Sequence, residues 1–256
     1  MAPDPQKPLV SVLIPTRDRP RLFGLALEYF RYQTYPHKEL VVIDDGELFP
    51  VNPAPIEALG GKLIRVPTGT PTGSKLNVGV EQARGRFLQR MDDDDWYAPS
   101  FMDIMVAGAL QYQVDVCIPT LSFVLPFLFF DVARWEIRQS HRSAAPGATF
   151  FFSRDAWEEH PFQPLTIDED VWFFREQQRW GAEVLPVRAL EFFLAVRHRG
   201  FTGERGHVWT HQRAGEQVED YLKERPVYQR PPDEMLPAFA LEVYRDLRRE
   251  LTIASS

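Results

Sequence analysis

Short β-branched runs alternate with helical segments from residue 9 to residue 118, and the early runs stop at proline or at acidic turn residues. Leu9 to Ile14 is such a run, closed by Pro15. Pro20 to Tyr32 then places Leu22, Leu25, Ala26, Tyr29 and Phe30 at helical spacing. Glu39 to Ile43 reads as a second strand, cut off by the turn Asp44, Asp45 and Gly46. Lys62 to Val66 is a third, followed by a Gly, Thr and Pro loop at 67–74, a helix over about 75–84 and a strand from Arg86 to Met91. Four aspartates, Asp92 to Asp95, come next, then Pro99 in the first turn of a helix reaching toward Tyr112 and a strand at Val114 to Ile118. Alternation of this kind builds an α/β fold, a Rossmann-like, mostly parallel sheet flanked by helices on both faces.

Past residue 120 the pattern loosens. Ser122 to Phe130 and Ala148 to Phe152 look strand-like, a helix over about 170–180 is stopped by Gly181, and Val184 to Val187 reads as a strand. A tail from Arg225 carries Pro226, Pro231 and Pro232 before an amphipathic helix at about 234–251, whose Leu236, Phe239, Val243 and Leu247 can cover the body or a partner as a homodimer element. We therefore expect one domain over 1–224, with halves at about 9–119 and 120–224, and a Pro-rich linker and terminal helix at 225–256.

With 44% hydrophobic residues in 256, the chain can bury a substantial core. A net charge of −7 argues against a surface that grips nucleic acid mainly by its phosphates. Cys117 is the sole cysteine, so no internal disulfide or Cys-rich zinc site forms, which fits a cytoplasmic location. The N-terminus lacks a signal-peptide run, and the apolar stretch Val114 to Val132 is broken by Pro119, Pro126, Asp115 and Asp131, so no membrane span is expected.

Ligands of open α/β sheets sit outside the C-terminal ends of the strands, where both aspartate clusters are expected. Two like charges at about 4 Å repel by about 1 kcal/mol in water and about 4 kcal/mol at an effective dielectric of 20. Adjacent carboxylates beside a packed strand thus call for solvent, protons or a cation. Magnesium or manganese takes oxygen ligands and is commonly completed by substrate phosphates. The plainer alternative is a solvated loop with one aspartate capping the next helix.

The run VSVLIPT from Val10 to Thr16 and YQTYPHKELVVIDDG from Tyr32 to Gly46 resemble the N-terminal half of family 2 glycosyltransferases. So do KLNVGVEQARGRFL from Lys75 to Leu88 and MDDDDWYAP from Met91 to Pro99; with Glu169 and Asp170 the resemblance spans roughly 9–200. It implies the GT-A fold, a donor-binding first half and an acceptor-side second half. It further implies a nucleotide-diphosphate sugar as donor, with a UDP-sugar as the default, and an Mn2+ or Mg2+ cofactor. The donor set it implies is Thr16, Arg17, Asp44, Asp45, Lys75, Asp92 and Asp93, with Asp94 foremost among metal ligands, Asp92 beside it and His198 a further candidate.

Asp170 looks like the family's general base, which takes the acceptor's proton in an inverting displacement; its structural alternative is complementing a helix dipole. Thr166 with Glu169 fits a capping box, and Glu169 is also a catalytic candidate. Gln177 to Trp180 resembles the Q-x-x-R-W element of processive synthases, but Glu176 holds the glutamine position, so transfer of a single sugar is expected. His207 and His211 share an i, i+4 spacing without further ligands, and Trp96, Trp135 and Trp172 are candidates to line a sugar cleft, with core packing as the alternative. Two other readings stay open: a non-catalytic nucleotide-sugar or glycan binder, and a nucleotidyltransferase, for which Gly69 to Lys75 is a poor phosphate loop. The acceptor is not specified by these residues.

Overall fold

In the computed structural model, the described residues are 7–112, 119–140, 145–198, 200–201, 203–205 and 225–253. The expected strand Val114 to Ile118, with Cys117, and the pair His207 and His211 lie outside them. Strands β1 (Val10–Thr16), β2 (Lys38–Asp44), β3 (Lys62–Arg65) and β4 (Phe87–Arg90) alternate with helices α1 (Pro20–Tyr32), α2 (Pro53–Ala58) and α3 (Thr72–Gln82). Then come β5 (Trp96–Tyr97), α4 (Phe101–Tyr112), β6 (Thr120–Val124), β7 (Leu128–Asp131), β8 (Glu136–Gln139) and β9 (Phe151–Ser153). Helices α5 (Arg154–Glu159) and α6 (Glu169–Arg179), strands β10 (Glu183–Val187) and β11 (Phe193–Arg197), and helices α7 (Pro232–Met235) and α8 (Ala238–Ile253) complete the order.

The main sheet has seven strands in the order β10-β6-β9-β4-β1-β2-β3, and β9 alone runs against its neighbours. Its central strands are apolar on both sides because both faces are covered. Val10, Val12, Ile14, Leu40 and Val42 face α1, α4 and α8, while Leu13, Val41 and Ile43 face α3 and α6. A second sheet, ordered β5-β11-β7-β8, packs within the first of these clusters.

Strand β1 pairs with β2 on one side and β4 on the other, so the strand order reverses there. Such a switch point opens a crevice at the strands' C-terminal ends. It sets the loop after Thr16 beside the aspartates after Arg90.

Three elements differ from expectation. The apolar run 122–130 is two strands in different sheets, because Pro126 lacks the N–H needed to continue a ladder. Ala148 and Thr149 belong to a 3-10 turn, Gly147–Thr149, that precedes β9. The tail forms two helices, since Pro237 disfavours helical backbone at Leu236, whose ψ is 143°.

The expected linker is laid along β8: Gln139 N–H donates to Pro226 O at 3.0 Å and Tyr228 N–H to Ile137 O at 2.7 Å. Helix α8 buries Ala240, Leu241, Tyr244 and Leu247; the Tyr29 and Tyr244 hydroxyls lie 3.2 Å apart, and Phe239 stacks on Tyr32. The face expected to cover the body or a partner thus covers the body. Among the described residues, no helix is long and apolar enough to cross a membrane.

Candidate active site

A cavity of about 270 Å3 opens at this switch point, walled by the ends of β1, β2 and β4, the turn 145–148, the start of α6 and strand β11. Asp45 anchors one side. Lys75 Nζ donates to its Oδ1 at 2.6 Å, Gly69 N–H to its Oδ2 at 3.0 Å, and Arg17 Nη1 stands 3.6 Å from that same oxygen. Lys75 also reaches Thr16 O, and Thr16 Oγ1 donates to Asp93 Oδ2 at 2.6 Å. Thr16, Arg17, Asp45, Lys75, Asp92 and Asp93 all line the cavity.

Asp44 does not. Its oxygens accept the Gly46 and Val51 N–H groups and the Arg65 guanidinium, so the neighbour of a donor candidate shapes the loop instead. Asp18 has a similar duty: burial raises its pKa, but the Phe49, Leu48 and Glu47 amides and Arg17 outweigh that and hold it below the usual carboxylate range.

The four aspartates after β4 are dispersed among different partners. Asp92 takes the Arg90 guanidinium through Nε at 2.7 Å and Nη2 at 3.1 Å, and its N–H donates to Tyr97 Oη. Arg19 Nη1 spans Asp93 Oδ1 at 2.8 Å and Asp94 Oδ2 at 2.9 Å. Asp95 accepts the Val196 N–H at 2.8 Å, with Arg197 at 3.7 Å. Burial first, and then the Asp94 charge, push the Asp93 and Asp95 carboxyls up despite Arg19 and Arg197.

Ligand oxygens of Asp92, Asp94 and Asp95 lie within 4.8 Å of one another. An all-carboxylate donor set, whose charge burial disfavours, fits a hard divalent cation. Asp95, not His198, joins Asp92 and Asp94 in this set. His198 Nδ1 accepts the Gly200 N–H at 2.9 Å, and its Nε2 lies 3.3 Å from Asp94 Oδ2.

Across the cavity, Asp170 Oδ1 accepts its neighbour Val171 N–H at 2.8 Å. A methyl group on Gly147 would lie 2.5 Å from Asp170 Oδ2, so the bare glycine is what admits the carboxylate. Glu169 is buried and accepts from Arg90 Nη1 at 2.9 Å. Burial pushes its pKa up to about 7, with Arg90 pulling down and Asp170 pushing up. The expected capping box does not form. The helix begins at Glu169 after a left-handed Asp168 (φ 63°) that makes no side-chain cap bond, and Thr166 lines the cavity instead.

The glycosyl transferase family 2 model matches residues 11–177, which hold both aspartate clusters and Asp170. The chain belongs to glycosyl transferase family 2. It is 28% identical over 108 residues to the putative glycosyltransferase EpsH of Bacillus subtilis (strain 168), covering 41% of this chain and 31% of that one. An uncharacterized glycosyltransferase of Rickettsia bellii (strain RML369-C) is 30% identical over 95 residues, 36% of this chain and 14% of its own. The matches thus span about a third or less of the curated relatives' length. Among solved structures, the mannosyltransferase PcManGT from Pyrobaculum calidifontis, in complex with GDP-Man and Mn2+, superposes with a TM-score of 0.57 at 18% identity, covering 77% of this chain and 59% of that one. S. aureus TarS 1-349 in complex with UDP-GlcNAc gives 0.57 at 15% identity, covering 78% and 62%. These superpositions show the GT-A fold.

In this family 2 chain the cleft's aromatic walls are Phe127, Phe129 and Phe193. Trp96 is buried in β5, the Trp135 indole N–H donates to Asp233, and Trp172 is 45% exposed, so none of the three tryptophans considered lines the cavity. Arg197, which the sequence sets beside His198 as a phosphate-binding candidate, lines it, and so do Arg19, Arg90 and Arg205, which sequence reasoning passed over. The one available signal was Arg90 itself, a charged residue inside an apolar strand and two positions before four carboxylates.

Proposed function

We propose that this chain is an inverting glycosyltransferase that moves one sugar from a nucleotide-diphosphate sugar, a UDP-sugar as first choice, to an acceptor hydroxyl. The observation that carries the reading is the convergence of Asp45, the Asp92 to Asp95 cluster and Asp170 on one cavity in a family 2 chain. The solved relatives support it, one being a complex with GDP-Man and Mn2+ and another with UDP-GlcNAc.

On this reading Thr16, Arg17, Asp45 and Asp93 hold the nucleoside, and Lys75 holds Asp45 in place through its 2.6 Å contact. Asp92, Asp94 and Asp95 would hold Mn2+ or Mg2+, which when bound neutralises charge on the departing diphosphate. Arg17, Arg197 and Arg205 line the same cavity and add positive charge toward that group. Asp170 accepts the acceptor hydroxyl's proton as the acceptor oxygen bonds to the anomeric carbon and the bond to the diphosphate breaks on the opposite face. That single displacement inverts the anomeric centre and needs no enzyme-bound sugar. Phe127, Phe129 and Phe193 keep water from the reacting carbon.

Mass spectrometry of nucleotide-sugar and acceptor panels with Mn2+ tests the reading. Asp94→Ala should abolish Mn2+-dependent nucleotide binding in calorimetry. Asp170→Asn should keep that binding and lose transfer; undiminished transfer would remove Asp170 from the reaction.

A further inference from the structure

Two carboxylates 77 positions apart in sequence, Asp92 after β4 and Glu169 at the start of α6, share one buried cation. The Arg90 guanidinium spends Nε and Nη2 on Asp92 and Nη1 on Glu169, using the planar fork that only arginine offers. Its side chain is 8% exposed, so this geometry is not a loose surface pairing. Its backbone is fixed as well, because Arg90 N–H donates to Phe150 O at 2.9 Å. A second tie runs nearby: Tyr97 Oη accepts the Asp92 N–H and donates to Ala148 O, next to the glycine that abuts Asp170.

We propose that Arg90 is a positioning residue that fixes the first turn of α6, and with it Asp170, relative to the Asp92 to Asp95 cluster. The role in turnover rests on the glycosyl-transfer reading above; the role in geometry does not. A buried arginine with one partner would satisfy electrostatics alone. Arg90 instead joins the element that carries the candidate metal carboxylates to the element that carries the candidate base. Glu169, on this view, is the handle by which Arg90 holds α6. A lysine at this position has a single nitrogen on a flexible stem and cannot present the same three bonds.

Two measurements decide the matter, on Arg90→Lys, Arg90→Met and the double variant Arg90→Met with Glu169→Gln. The double variant leaves no unpaired charge at Glu169 and guards against simple misfolding. Hydrogen–deuterium exchange should quicken at least tenfold in the amides of 169–173 in all three, with α1 and α3 unchanged. Unchanged exchange at 169–173, or acceleration throughout the protein, would overturn the proposal. For whichever nucleotide sugar the wild type consumes, kcat should fall at least tenfold in Arg90→Lys and in the double variant, with donor KM within threefold. A kcat kept at the wild-type level, or a loss confined to KM, would refute the positioning role. If the wild type consumes no nucleotide sugar, the transferase reading fails while exchange still decides whether Arg90 holds α6.

Discussion

The two walls of the cavity are built on different principles. On the wall at the ends of β1, β2 and β4 each buried aspartate of the cavity is tied to a partner from elsewhere in the fold: Asp45 to Lys75, Asp93 to Thr16 and Arg19, Asp94 to Arg19, Asp95 to the Val196 amide. On the wall at the start of α6 Asp170 accepts only from its neighbour's backbone N–H among the hydrogen bonds described, and is located by the missing side chain of Gly147. On the proposed reading, with Asp170 as base, rigid pairing suits a site that must receive a charged donor without rearranging. A base needs open capacity to take a proton, and steric location supplies position without consuming it.

The sharpest way to break this contrast is Asp170→Asn. We expect kcat to fall by about 10²–10⁴ with nucleotide affinity kept, measured by steady-state kinetics and calorimetry. Asp44→Ala should show the opposite profile: stripping the Val51 and Gly46 amides and Arg65 of their acceptor should cost about 2–4 kcal/mol in denaturant unfolding. Nucleotide affinity should change little, and a larger loss of affinity than of stability would return Asp44 to the binding site. Gly147→Ala should cost about 1–3 kcal/mol from overpacking and lower kcat more than donor KM, since the methyl meets Asp170 first.

The smallest effect is a pH dependence. The folded-state pKa of Glu169 is raised from 4.5 to about 7, so the folded chain binds the extra proton in that interval. Its contribution to stability is therefore full below about 4.5 and is lost as pH rises through about 7. Glu169→Gln should flatten the fall in melting temperature between pH 5 and pH 8; an unchanged slope would place the titration elsewhere.

What could be read beforehand follows the range of the interactions. Strands β1 to β4 were legible because apolar runs and turn residues act over a few neighbours, and Asp45 and Asp92 to Asp95 were legible because strand ends are local features. The metal candidates were less so. Four adjacent carboxylates differ in sequence by one position each, but only their partners across the fold separate Asp93, held by Thr16 and Arg19, from Asp95, which joins Asp92 and Asp94. His198 gave no sign of its partners, the Gly200 N–H and the Asp94 carboxylate. The capping pattern at Thr166 and Glu169 was overridden because a buried Arg90 claims the glutamate.

By itself, then, the order of residues determined a parallel α/β layering with acidic groups at the strand ends, since periodicity and turn chemistry are properties of short segments. Only the tertiary structure decided which acid faces the cavity and which braces a loop, that α8 covers the body, and that one arginine joins both walls. Those outcomes depend on contacts between residues far apart in the chain, where burial sets the strength of each charge and no local pattern names its partner.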